Sequence, residues 1–477
     1  MRGGILAAAS LATIAMAGAA NAEDLRRALV QTYSSNPTIM GQRAQVRSLD
    51  ESVAVARAQG RPQLSGTAGV NQDLTQTGGG TGRNLSAGVS VSYPLFNGGR
   101  VRNLIRAADE RVLAGRAALK ATEGDIFTEA VGAYMDVIRD RSIVTLNRNQ
   151  ARVLQTNLQA TRDRFEVGDL TRTDVAQSEA RLALAESNLA TAQGRLEGSE
   201  ENYQRVIGSP PGDLAPPDPL PPLPGTAEQA VDIALANNSD LVSIAAQIRA
   251  AGRDVSVLRA DRLPTVSAVG GGQAVNYLGT ADRQFAPGAP ETVTQTNVGV
   301  QARIPIYQGG LVGARVRQAQ AFQSQLLERG VEVERSVVAQ VRAAFATYQA
   351  TLQAIESNQV AVSANTLALE GTRAEQTVGT RNVLDVLNAE QELLNSQVAL
   401  VSARRDAYVA GFALLNAMGK AEAEDLNLDG GTLYDPLLHY NKTRKRSSDW
   451  HDDPAPAPVS TRTVTGPPDT PVTPPAN

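Results

Sequence analysis

Few residues in this 477-residue chain are placed to do chemistry, and those that are sit in two runs that echo each other. The first is Val167-Gly168-Asp169-Leu170-Thr171-Arg172-Thr173-Asp174. The second is Val378-Gly379-Thr380-Arg381-Asn382-Val383-Leu384-Asp385-Val386-Leu387-Asn388-Ala389-Glu390. Their groups suit ion pairing and helix-end work rather than bond making. Gly168 and Gly379 fit the positive-φ residue that closes a helix. Asp174 and Asp385 stand where return helices begin, where a carboxylate caps free N–H groups or offsets the helix dipole. Catalytic equipment is missing elsewhere. With no cysteine there is no disulfide, thiolate metal site, cysteine nucleophile or lipid anchor on an N-terminal cysteine. The two histidines, His439 and His451, fall in a C-terminal segment that reads as unstructured, so the folded part lacks the commonest general base and metal ligand. No carboxylate cluster with a pocket, serine elbow or phosphate loop stands out. The residues predict no enzyme, no cofactor and no metal. A net charge of −4 without a basic stripe predicts no nucleic-acid partner.

The two runs belong to a larger duplication. Leu158, Thr161, Arg162, Glu179, Leu182 and Gly208 recur 211 residues later as Leu369, Thr372, Arg373, Glu390, Leu393 and Gly419. Tyr93-Pro94-Leu95 recurs as Ile304-Pro305-Ile306, and Gly98-Gly99 as Gly309-Gly310. A constant offset over this length means that one supersecondary unit occurs twice. Nearer the N-terminus the offset is 202, from Ala44-Gln45-Val46-Arg47 to Ala246-Gln247-Ile248-Arg249. The second copy therefore carries a nine-residue insertion between Pro264 and Pro305, which predicts an exposed loop there.

The elements that position these runs follow from periodicity. Residues 1–22 read as a secretory signal, with Arg2, an apolar stretch and an Ala20-Asn21-Ala22 cleavage site. Beyond it no apolar run is long enough for a membrane helix, so a membrane would have to be crossed by strands. Leu85, Ala87, Val89, Val91, Tyr93 and Leu95 alternate with small polar residues, as do Val298, Val300, Ala302, Ile304 and Ile306. Gly78-Gly79-Gly80 and Gly270-Gly271-Gly272 read as lying between strands. Each copy then holds a helix, one β-hairpin (about 62–96 and 264–307) and a long helical hairpin (98–207 and 309–419). The first helix of each hairpin runs about 67 residues, or roughly 100 Å, and such length implies coiled-coil packing.

The copies span 23–207 and 226–430. Between them, residues 208–225 hold eight prolines and read as an extended spacer. Residues 431–477 are Pro, Thr and Asp rich and read as a disordered tail, with Trp450 anchoring nothing.

Strands of 10–12 residues with one apolar face match those of a transmembrane barrel. Four strands cannot close, so protomers must share the barrel. Two chains would supply eight strands and three would supply twelve. The small Ser and Gly residues on the inner face favour twelve. The fold class is thus mainly α with a transmembrane β part, a duplicated unit of β-hairpin plus long coiled-coil helices. A rival is a periplasmic coiled-coil structural or adaptor protein without a membrane barrel, but an adaptor would carry one hairpin and a lipoyl-like sheet rather than two equal copies.

The repeated hairpin-plus-helix unit resembles the TolC family of outer-membrane efflux and type I secretion ducts. The carriers are Tyr93-Pro94-Leu95-Phe96-Asn97-Gly98-Gly99 and Ile304-Pro305-Ile306-Tyr307-Gln308-Gly309-Gly310, similar to the family's strand-to-helix junction, and the Val378–Glu390 run. The resemblance spans about residues 24–430. It implies a homotrimer in outer-membrane lipid, with a 12-stranded barrel continued by a periplasmic α-helical barrel. It implies a passive exit duct served by a periplasmic adaptor (membrane fusion protein) and an inner-membrane pump of RND or ABC type. It further implies that the tips close the entrance, with Arg381 linked to Asp174 on a neighbouring hairpin. Asp385 would form an acidic ring, in which Asn388 replaces a second acid and Gln376 replaces an entrance Tyr. Gly168, Leu170, Gly379 and Thr380 would receive the adaptor.

Overall fold

The computed structural model describes residues 23–72, 82–280, 288, 290–428, 433–460 and 462. The expected leader, Gly78-Gly79-Gly80 and the last part of the tail lie outside them. The first repeat comprises α1 (Leu25–Ser35), α2 (Pro37–Ala58), β1 (Gln63–Gln72), β2 (Arg83–Phe96), α3 (Arg100–Glu166) and α4 (Arg172–Ile207). The second comprises α5 (Ala227–Asn237), α6 (Ser239–Ala260), β3 (Thr265–Asn276), β4 (Thr292–Arg303), α7 (Leu311–Thr377) and α8 (Val383–Ala417). A short α9 (Pro436–Thr443) follows.

Local chemistry sets the breaks. Asn36 ends α1 and caps α2, its side chain accepting from Thr38 N at 2.9 Å, with Pro37 at the first helical position. Asn238 does the same between α5 and α6. Each also donates through Nδ2 to the end of its repeat's return helix, Asn36 to Val206 O at 2.9 Å and Asn238 to Ala417 O at 3.1 Å. One residue type at two equivalent places thus joins three helix ends.

All four strands form one antiparallel sheet in the order β1-β2-β3-β4, and β2–β3 joins the repeats. One face carries Leu64, Val89, Val91, Val298 and Val300, with Leu64 74% and Val298 92% exposed. The other carries Ser65, Ser90, Asn297, Gln273 and Gln295, with the Ser65 and Ser90 hydroxyls 2.8 Å apart. Gly270-Gly271-Gly272 corrects the expectation of a between-strand segment: it lies inside β3, paired with Val91, Ser90 and Val89. Its three missing side chains hid a strand that otherwise alternates. The two Pro-containing tripeptides also differ. Pro94 lies in β2, opposite Ser267 beside a bulge, whereas Pro305 lies beyond the end of β4. β2 has β3 to pair with there, while among the described residues β4 is an edge strand.

The main core lies around the middle of α3. Phe127, Val131, Tyr134 and Val137 meet Leu29, Tyr33 and Ile39 from α1 and α2, Tyr203 and Ile207 from α4, and Phe412, Leu414 and Met418 near the end of α8. The Pro-rich linker is not the free spacer expected of it. Leu214, Leu220 and Leu223 pack on this core. Arg141 Nη1 donates to Gly212 O at 2.7 Å, and Glu23 N to Asp213 O at 2.7 Å. Prolines set the extended path, and the partly buried leucines between them hold it against the core.

The tail is corrected likewise. Asp435 caps α9, which packs against α2. His439 Nδ1 lies 3.0 Å from the buried Asp50, and Tyr440 donates to Asp109 at 2.8 Å. Proline at the first position of α9 starts the helix rather than breaking it. Trp450 is fully exposed. Among the described residues no helix is long and apolar enough to cross a membrane.

One carboxyl in this region is poorly matched to its site. Glu123 on α3 is buried, and its nearest cation, Arg43, is 4.0 Å away, held between the rings of Tyr33 and Tyr434. Burial outweighs Arg43, and Glu422 adds to the upward push, raising Glu123 from 4.5 to about 7. An acid raised in this way stabilises the fold below its unfolded value, and that contribution is lost as pH rises through about 7. Glu123→Gln should therefore flatten the pH dependence of the thermal midpoint between these values, removing a difference of roughly 3 kcal/mol at about 1.4 kcal/mol per unit. Parallel midpoint curves for the two proteins would show that Glu123 does not titrate in this window.

Candidate functional site at the hairpin tips

The two helical hairpins turn by the same device. Gly168 and Gly379 take φ of 80° and 83°. Their N–H groups reach back to Phe165 O and Gln376 O at 3.0 Å, and the next residues close the turn, Asp169 N to Arg164 O at 2.9 Å and Thr380 N to Glu375 O at 3.0 Å. These bonds satisfy the last carbonyls of α3 and α7, and the left-handed turn requires glycine. Nothing stands within 4 Å of a side chain added at either glycine. The conformation, not space, is what fixes the residue. Val167 and Val378 point outward beside them and are exposed, while Leu170 is half-buried.

The return helices begin with capping boxes. Asp174 N donates to Thr171 Oγ1 at 3.3 Å, and Asp174 Oδ2 accepts from Thr171 N at 2.8 Å and Oγ1 at 2.7 Å. Asn382 and Asp385 repeat the arrangement, with Asp385 N to Asn382 Oδ1 at 2.8 Å. The hydrogen bonds from Thr171 hold the Asp174 carboxyl below the usual carboxylate range.

Around these shared turns the charges are inverted. Arg164 near the end of α3 pairs with Asp169 in its own turn at 2.8 Å. Its counterpart 211 residues on is Glu375, which receives Arg381 Nε at 2.9 Å. Within one chain Arg381 and Asp174 therefore each have local partners and are not brought together. Asp385 caps its helix, and Asn388 Oδ1 accepts from Arg181 Nη2 at 2.7 Å.

A residue set that the sequence reading passed over joins the hairpins further up. Leu154, Ala185 and Leu387 form a small buried apolar cluster with Ala151, Leu182 and Val383 around it. Beside it Glu390 is 3% exposed. It accepts from Asn157 of the first hairpin at 3.2 Å and from Arg373 of its own at 2.9 Å. The equivalent pair, Arg162–Glu179 at 2.7 Å, has no such cover and is half exposed. Arg and Glu 17 residues apart across a Val-Gly turn, found twice, was the available signal. What could not be read was which copy is covered.

At the other end of the long helices Gly98, Gly99, Gly309 and Gly310 all have positive φ. Gly98 also permits close approach, since an added Cβ would lie 2.9 Å from Leu263. Pro94 and Pro305 complete the strand-to-helix junctions on the strand side. Among the described residues the one group with metal-ligand spacing, Glu51, His439 and Asp453, is shared with Arg446, which bonds Asp453 at 2.7 Å.

A sequence profile of the family described as Outer membrane efflux protein matches residues 28–209 and 230–420, the two repeats on either side of the linker. The outer membrane efflux protein BepC of Brucella suis biovar 1 is 33% identical over 440 residues, which is 91% of this chain and 93% of that protein. The outer membrane protein TolC of Escherichia coli K12 is 26% identical over 437 residues, 87% of this chain and 86% of its own. The solved structure of CusC superposes with a TM-score of 0.72 at 20% identity, covering 83% of this chain and 92% of that one.

The contrast between Glu390 and Glu179 is testable. Glu390→Ala removes the buried acceptor shared by the part-buried Asn157 and the half-exposed Arg373, a loss of about 1–3 kcal/mol. Glu179→Ala removes an exposed pair, a change of about 0–1 kcal/mol. Limited proteolysis at the tips should accelerate for the first and not for the second. Equal acceleration would mean that Glu390 is not holding the hairpins together.

Proposed function

The chain belongs to the outer membrane efflux protein family, and we propose that three copies close into one duct, a 12-stranded barrel in the outer membrane continued by a periplasmic helical tube. One observation carries this reading: among the described residues an antiparallel sheet with a bare apolar face has β1 and β4 as outer strands with no further strand beside them. Unpaired edges are not tolerated in lipid. β1 and β4 run in opposite directions, so β4 of one copy meets β1 of the next as another antiparallel pair. The helices support the same closure. α3 and α7 are both 67 residues long, yet α3 has 22 buried positions and α7 five. Phe322, Leu327, Val360 and Leu367 on α7 are left exposed, and α4 of the next copy is the repeat-equivalent partner to cover them.

In this reading the duct does no bond chemistry and export is passive. A periplasmic adaptor docks on the tips at Gly168, Leu170, Gly379 and Thr380, and brings an inner-membrane pump of RND or ABC type to the entrance. In the closed ring Arg381 exchanges Glu375 for Asp174 of a neighbouring hairpin, and Asp385 and Asn388 face the narrowed bore. Each exposed pair contributes about 0–1 kcal/mol, so even three together leave a gate that a partner can open.

Detergent-extracted protein should run at three chain masses and conduct ions in planar bilayers. Release by carbonate as a single chain would overturn the barrel. Arg381→Ala should raise the single-channel conductance of the trimer, and unchanged conductance would remove Arg381 from the gate.

A further inference from the structure

The strand-to-helix junctions gather positive charge without negative charge. From Asn84 to Ala108 the chain holds Arg100, Arg102 and Arg106 and no acid. From Arg303 to Leu327 it holds Arg303, Arg315 and Arg317 and no acid. Arg100 is neutralised by Asp261 at 2.5 Å. Arg303 lies on the polar face of the sheet, opposite Thr265. Arg102, Arg106 and Arg317 are exposed, and among the described residues none of them has an ion-pair partner.

Packing sets the side to which these three point. Ile105, Ala108 and Val112 on α3 meet Val53 and Ala56 of α2. Arg100, Glu110 and Arg111 pair with Asp261, Arg249 and Asp254 of α6. At about 100° per residue these contacts leave two free arcs on α3, one of about 230° and one of about 130°. Arg102, Arg106 and the exposed Leu113 fall in the middle of the wider arc. In a closed ring of helices the wider arc of each member faces outward. Arg317 is Arg106 shifted by 211 residues, and it holds the same place on α7, where Val312 and Val316 meet Val255 of α6. The strands mark the level. Tyr93 pairs with Ala268 on the apolar face, and the bulge after Pro94 brings Phe96 into register with Val266 on that same face. Tyr93 is 42% and Phe96 51% exposed, and rings at the end of an apolar band mark the edge of the hydrocarbon in barrels.

We infer that Arg102, Arg106 and Arg317 form a belt around the duct that binds the phosphate groups of anionic phospholipids, in the leaflet on the helix side of the apolar band. The inference rests on the membrane duct proposed above. Arg102 and Arg106 lie about 3 and 9 Å along α3 from its first residue. The headgroup layer on each side of a bilayer is about 5–8 Å thick, so both side chains reach it. The guanidinium fork matches phosphate oxygens, and its attraction extends over about 8–10 Å at ordinary salt. A lipid surface, rather than a soluble anion, is the occupant because the belt continues directly from the apolar face through Tyr93 and Phe96. Rings above and arginines below fix the height of the duct in the bilayer, and with it the reach of the tips.

Lipid retention tests the belt. The trimer in detergent micelles is offered fluorescent phosphatidylglycerol or phosphatidylcholine, and the lipid that stays with the protein through gel filtration is measured. Phosphatidylglycerol should be retained severalfold more, and raising salt from about 0.05 to about 0.5 M should remove most of the difference. Arg102→Gln, Arg106→Gln and Arg317→Gln together should abolish the preference. Arg102→Lys, Arg106→Lys and Arg317→Lys together should keep it, and so should Arg303→Gln on the polar face. Equal retention of the two lipids, a preference unmoved by salt, or one that survives the three Gln substitutions would overturn the inference. Loss of the preference in Arg303→Gln would overturn it too, by placing the lipid-sensitive charge in the bore. Displacement of the lipid by inorganic phosphate at matched ionic strength would do the same, by marking a small-anion site. Where the triple Gln variant does not assemble, the salt series on the unsubstituted trimer decides. Unsubstituted protein that runs only at one chain mass would instead refute the duct, a separate failure.

Discussion

The constraint on which the rest depends is the hydrogen-bonding demand of two free strand edges. Among the described residues β1 and β4 are the outer strands of the sheet, each with a neighbouring strand on one side. In water the N–H and C=O groups on their outer sides would be solvated, but the apolar face that carries Leu64, Val89, Val91 and Val298 belongs in hydrocarbon. Lipid offers no substitute donor or acceptor, so only closure satisfies both demands. The barrel then fixes the number of long helices below it, since every hairpin of strands leads through a double-glycine junction into one helical hairpin. Positive φ at both glycines of each pair turns the chain from strand to helix within a few residues.

The proposed tube, built from a repeat, would have near-equivalent interfaces, and the two copies depart from equivalence at the tips. The turns at Gly168 and Gly379 agree in backbone, in capping and in hydrogen bonding. They differ in charge, with Arg164 in one copy and Glu375 in the other. The two Arg–Glu pairs differ in cover, Glu390 being buried beside the first hairpin and Glu179 half exposed.

Much of this was legible in the sequence, and the reasons are specific. Val89 and Val91 alternate with serines, so β2 declared its face. The Val-Gly pairs marked the turns because the positive-φ geometry admits little else. The duplication supplied the register between copies directly. The missed parts share a cause: a local signal that long-range packing overrode. Gly270-Gly271-Gly272 has turn composition, yet β2 and β4 pair with it on both sides. Residues 436–443 lie in a Pro-rich context, yet His439 and Tyr440 find Asp50 and Asp109 on helices more than 300 residues earlier. The Arg381 pairing with Glu375 depends on rotamers within one turn, which spacing does not specify.

Two of the buried carboxylates, Glu390 and Glu123, show how the fold divides its labour. Glu390 has a guanidinium at 2.9 Å and an amide at 3.2 Å, so its burial is matched by donors. Glu123 has Arg43 no nearer than 4.0 Å, and that guanidinium is committed to the rings on either side of it. A satisfied buried charge fixes one geometry, because any displacement leaves its donors unpaired. A poorly matched one can be held only where the surroundings do not yield, and the Tyr33–Phe127 core next to it is such a place. Rigidity near the middle of the tube therefore comes from packing, and rigidity near the entrance comes from a specific polar set. The proposed gate would need the second kind, since a few donors and one acceptor can be made or lost without melting a core.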